Sequence, residues 1–133
     1  MGKITSNRIT NLNLNEIFVF GSNLSGFHAG GAARIALDWG AIWGNGVGLQ
    51  GKTYAIPTKS QDMIRTLTIE EIKPYVNDFI NFAKNNPTLI FFVTEIGCGI
   101  AGLKHEDVAP LFKNAINVDN IYLPEKFWNI LNN

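Results

Sequence analysis

The sequence predicts an α/β protein built in three layers, a mixed central sheet flanked by helices on both faces. Two apolar runs, IFVF at 17–20 and TLIFFVT at 88–94, are too short for helices and too apolar for half-exposed strands, so they read as buried parallel strands. Each run passes directly into a glycine-rich stretch. Between them lies a long amphipathic helical pattern at 68–85, and strands alternating with helices imply crossover connections within one sheet.

Composition narrows the class further. A chain of 133 residues with 46% hydrophobic content can bury a core without staples, and no repeat or charge block divides it, so it reads as one domain over 1–133 with its core at about 16–123. Eleven basic and eleven acidic residues cancel, which argues against a broad electrostatic footprint for nucleic acid. The single cysteine, Cys98, can form no internal disulfide, as expected for a reducing, cytoplasmic compartment. No apolar run reaches the roughly 18 residues of a membrane helix and the segment 1–15 is polar rather than signal-like, so no membrane partner is expected.

Taken in order, residues 1–15 space Ile4, Ile9, Leu12 and Leu14 as a short edge strand or lead-in would. The strand at 17–20 then opens at Gly21, Ser22 and Asn23, and a helix rich in small residues begins near Gly30, with Gly31, Ala32 and Ala33 in its first turn. Strand, glycine turn and helix start together make an anion site, since unpaired amides and the positive dipole end converge there. The order GSNLSGFHAGG is neither a dinucleotide fingerprint nor a Walker loop; the plainer alternative is a glycine-rich connection needed for tight packing. Residues 39–51, WGAIWGNGVGLQG, read as a loop whose Trp39 and Trp43 either stack on a ligand or cap a core edge. The stretch 52–58 reads as a second central strand stopped by Pro57, with Lys59 just beyond its end.

The pattern at 68–85 is a helix with Thr68 and Glu71 as a capping box, and Pro74 inside it predicts a kink or a later start. After the strand at 88–94 comes a second glycine loop, 95–102, which faces the first if both lie at strand carboxyl ends. A helix follows from Lys104 through Ala115, with Pro110 pointing to Asp107 as its cap, then a strand at 120–123 and a terminal helix at 124–131.

The succession FGSN, HAGGAARIA, YAIPTK, a long helix, and IGCGIAG followed by LKHEDVAPLF resembles the macro domain, the ADP-ribose-binding α/β/α family, over nearly the whole chain. The resemblance implies that Asn23 contacts the distal ribose, that Gly30 and Gly31 line it, and that the loop Gly97, Cys98, Gly99, Ile100, Ala101 and Gly102 cradles the diphosphate. The most similar branch removes ADP-ribose from acidic side chains or DNA bases with a lysine and an aspartate. Thr58 and Lys59 match its lysine, whereas Ala101 stands at its aspartate. Asn11 stands where the family carries the aspartate that meets adenine, and an amide oxygen accepts that bond less strongly than a carboxylate.

Lys59 is therefore the leading residue for chemistry, either attacking an open ribose aldehyde or holding phosphate. His28, among the glycines of the first loop, is a second candidate as general base or ligand contact. Cys98 has an amide-rich setting of the kind that lowers a thiol pKa, although the resemblance carries a cysteine here without using it as a nucleophile. His105 takes no role beyond the helix start, and the spacing of His and Cys gives no metal site and no cofactor. The expected ligand is ADP-ribose or a related nucleotide, free or on a modified macromolecule. The readings are a reader or sequestering module, a hydrolase, and a structural domain whose glycines serve packing alone.

Overall fold

The computed structural model describes residues 3–133. Residues 1 and 2 of the expected lead-in lie outside the described residues. Six strands form one sheet in the order β1-β6-β5-β2-β4-β3. They are β1 (Ile4–Thr5), β2 (Glu16–Asn23), β3 (Gly48–Gln50), β4 (Thr53–Lys59), β5 (Ile90–Val93) and β6 (Ile121–Pro124). All pair in parallel except β3, which runs antiparallel to β4, so the sheet is mixed as expected. The helices are α1 (Gly31–Leu37), α2 (Ile69–Lys84), α3 (His105–Val108) and α4 (Glu125–Leu131), with a 3₁₀ helix at Ala109–Ala115.

Alternation along β2 divides the core between two faces. Ile17 and Val19 join the larger cluster with Ile72, Val76, Phe79, Phe112 and Phe127, which belong to α2, the 3₁₀ helix and α4. Phe18 and Phe20 point the other way, onto Ala33 and Ala36 of α1, with Trp39 packed against the same cluster. A strand with helices on both faces has no room for a polar residue at either parity, which is why 17–20 is uninterrupted.

Several expected boundaries move. β2 continues through Gly21, Ser22 and Asn23, so these are strand residues rather than an opened loop. The stretch 39–51 contains β3, and Trp39 tilts onto Phe18 at 5.0 Å as a core edge. β4 runs through Pro57 to Lys59; β3 pairs with it only over Thr53–Ala55, so the proline's missing N–H falls beyond that ladder and breaks no pairing.

The capping box of Thr68 and Glu71 is present, and α2 starts at once at Ile69 rather than later. Pro74 sits inside it, and the carbonyl it leaves without an i+4 donor belongs to exposed Glu70, where water can serve it. Asp107 is not a cap. Lys104 holds that position, and the helix tightens into the 3₁₀ form at Ala109, one residue before Pro110.

The first loop and the chain before β3 press backbone against backbone. A Cβ at Gly46 would meet the Asn23 carbonyl oxygen at 1.9 Å, whereas one at Gly99 would meet nothing within 4 Å. Gly46→Ala is therefore expected to cost about 2 kcal/mol or more of unfolding free energy, and Gly99→Ala no more than about 0.5. Urea denaturation of the two variants against the parent chain measures both.

Candidate functional site

The chain leaves β2 through α1 to β3 and β4 on one side, then crosses by α2 to β5 on the other. The carboxyl ends of β2, β4 and β5 thus surround the point where the winding reverses, and a crevice opens there. Its volume is about 400 Å³.

Most of the expected site residues line this cleft. Gly21, Ser22 and Asn23 form its floor at the end of β2, and Gly30, Gly31 and Ala32 form one wall. Gly97, Cys98, Gly99, Ile100 and Ala101 form the facing wall, with Lys59 beside Thr58 at the end of β4. Gly102 is not part of the lining, and neither is Asn11, which is exposed elsewhere. Phe27, Met63, Thr94 and Glu95 line it as well. Of these, Glu95 opens the second glycine loop, 95–102, that the sequence places after a strand, while Phe27 and Met63 carried no signal.

Backbone packing explains the walls. A Cβ at Gly21 would stand 3.2 Å from the Gly97 nitrogen, so the second loop lies directly on the end of β2. Gly97 adopts φ +75°, and a side chain there would meet Leu103 Cδ1 at 2.9 Å, which makes glycine the fitting residue at this turn. The loop is closed by Cys98 N donating to Glu95 O, Gly102 N to Gly99 O and Leu103 N to Gly97 O, and Thr66 Oγ1 donates to Ala101 O at 2.8 Å. The amides of Gly99, Ile100 and Ala101 donate to none of the described residues. Across the cleft, Ile100 Cδ1 lies 3.2 Å and 3.3 Å from Cβ positions built on Gly30 and Gly31, so that one side chain reaches into the space a larger residue would fill at either glycine.

Two polar residues at the end of β2, Asn23 and Ser22, brace the scaffold. Asn23 Oδ1 accepts from Phe27 N at 2.8 Å and Ser25 Oγ at 2.7 Å, and its Nδ2 donates to Phe27 O at 2.9 Å. The Asn23 side chain thereby shapes residues 23–27 from the floor of the cleft. Ser22 Oγ donates to Gly46 O at 2.5 Å.

His28 corrects an expectation outright. It is fully buried, it does not line the cleft, and its Nε2 stands 2.9 Å from Ile42 O and 3.0 Å from Asn45 O. Both partners are carbonyls, so Nε2 carries the proton and donates. The ring packs between Phe20 and Trp43, at 5.5 and 6.0 Å. His28 fastens the chain before β3 to the core and stands outside the cleft where a general base or ligand contact was expected. Trp43, half exposed against Phe27, also stands outside the lining.

Lys59 is half-buried in the cleft, while its carbonyl accepts from Leu24 N at 3.0 Å. The position expected for an acid, Ala101, lines the same cleft without one. His105, given no role by the sequence, donates through Nε2 to Glu95 Oε1 at 2.5 Å. At Cys98 the surroundings act opposite to an amide-rich setting that lowers a thiol pKa: burial pushes the thiol up to about 11, and the carboxylates of Glu95 and Glu106 add to the rise. Among the described residues no His, Cys, Asp or Glu cluster could hold a metal ion, and no helix is long and apolar enough to cross a membrane.

No family model, curated protein or solved structure matches the chain.

The raised thiol pKa has a direct consequence. At pH near 7.4, Cys98 should alkylate with iodoacetamide roughly a hundredfold more slowly than an ordinary cysteine, because far less of it is thiolate. Its rate should keep climbing to about pH 11, as mass spectrometry of the modified peptide can follow.

Proposed function

We propose that the cleft binds ADP-ribose or an ADP-ribose-derived nucleotide, and that the protein acts as a reader or sequestering module of macro-domain type. The observation that carries this reading is the pair of glycine-rich walls facing one another at the sheet's switch point, one of them offering the amides of Gly99, Ile100 and Ala101, which have no acceptor among the described residues. Successive free amides at a strand end favour an anion such as a diphosphate. Lys59 adds a cation on the β4 side. A volume of about 400 Å³ is within the range of small-molecule sites. The unpaired Cys98 fits a reducing, cytoplasmic setting.

Lys59 also favours a second reading, an ADP-ribosyl hydrolase in which its amine attacks the ribose aldehyde. Binding ranks ahead because Ala101 supplies no acid beside Lys59, buried His28 stands outside the lining, and the one carboxylate there, Glu95, is engaged by His105 on the opposite side of the cleft.

Calorimetric titration with ADP-ribose should give a saturable isotherm with a Kd of about 10 µM or tighter, and Lys59→Ala should weaken it about tenfold. Absence of heat with ADP-ribose, NAD and their cyclic derivatives would sink the reading. Release of free ADP-ribose from a modified peptide or DNA, lost in Lys59→Ala, would move the assignment to the hydrolase.

A further inference from the structure

The cleft carries opposite charges on its two sides. Lys59 ends β4, Glu95 follows the end of β5, and β2 runs between those strands, so the two side chains leave the sheet roughly 10 Å apart, two strand spacings. Cys98 aside, they are the only ionisable side chains among the described residues that line it.

Glu95 is held in place. His105 Nε2 donates to Oε1 at 2.5 Å, and Lys126 Nζ stands 3.9 Å from the same oxygen. His105 in turn packs edge-on to the buried ring of Phe127, 6.3 Å away. Both partners act on Oε1, and no hydrogen bond or ion pair among the described residues engages Oε2, which keeps its capacity to accept. A carboxylate fixed in this way welcomes hydroxyl donors and repels a phosphate monoester.

Resting on the nucleotide reading above, we propose that Glu95 is the specificity determinant of the cleft, accepting hydrogen bonds from free sugar hydroxyls on the β5 side and rejecting a ligand phosphorylated there. Lys59, on the β4 side, tolerates such a phosphate. A ligand with a sugar at each end of a diphosphate presents one sugar to each charge, so the discrimination is one-sided.

The test titrates ADP-ribose, its derivative phosphorylated at the adenosine 2′ position and its derivative phosphorylated at the terminal 1″ position into the wild type and Glu95→Gln. One phosphorylated derivative should bind the wild type within about threefold of ADP-ribose and the other at least about tenfold more weakly, and Glu95→Gln should recover most of that loss. Equal binding of all three ligands, or discrimination that survives Glu95→Gln, overturns the inference and leaves the nucleotide reading standing. Failure of all three to bind either protein removes the nucleotide reading and this inference with it.

A ligand-free measurement checks the field directly. Alkylation of Cys98 at about pH 8 should quicken several-fold in Glu95→Gln and slow in Lys126→Gln, since the first charge raises and the second lowers the thiol's proton affinity. Rates unchanged in both variants would mean that the carboxylate does not act inside the cleft, which overturns the inference.

Discussion

The structure depends on one strand being paired along both edges and covered on both faces. β2 is bonded to β4 and β5, while Ile17 and Val19 are buried under one helical layer and Phe18 and Phe20 under the other. Removing four large side chains from water in a continuous run is worth several kcal/mol and fixes the register, because a slip by one residue would exchange the two faces. The carboxyl end of this strand is then an immovable floor. The ends of β4 and β5 flank it, and whatever leaves those ends surrounds the same space.

Tight backbone packing around that floor decides what the polar residues do. The chain at 42–46 lies close against 22–26, and the carbonyls it turns toward the core need donors. Ser22, His28 and Gln50 supply them, Gln50 Nε2 reaching Asn45 O at 2.9 Å. Residue types that elsewhere perform chemistry are here consumed by the scaffold. Beside glycine amides and apolar side chains such as Phe27, Met63 and Ile100, the charge left in the cleft is that of Lys59 and Glu95.

The fold class was readable because its signals are local. Uninterrupted apolar runs, a capping box at Thr68 and glycines after strands each act within a few residues of the element they define. The exceptions are long-range. Pro57 is a breaker by rule, yet it is harmless where the neighbouring strand has ended, and the three-residue β3 exists only because β4 is there to pair with. Within the site, the two glycine walls followed from strand topology. The burial of His28 did not, since the carbonyls it satisfies lie 14 and 17 residues further along the chain. Likewise Glu95 and His105 are 10 residues apart, and only the return of α3 beneath the second loop makes them a pair.

The reach of Ile100 to Gly30 and Gly31 bears on kinetics as much as on shape. Ile100 is 72% exposed, and its side chain bridges toward both glycines above the end of β2. A guest long enough to lie beneath that bridge must part the walls to escape. Dwell time would then be governed by how often one isoleucine changes rotamer and the flanking glycines yield, and arrival from solution would be the less sensitive of the two rates.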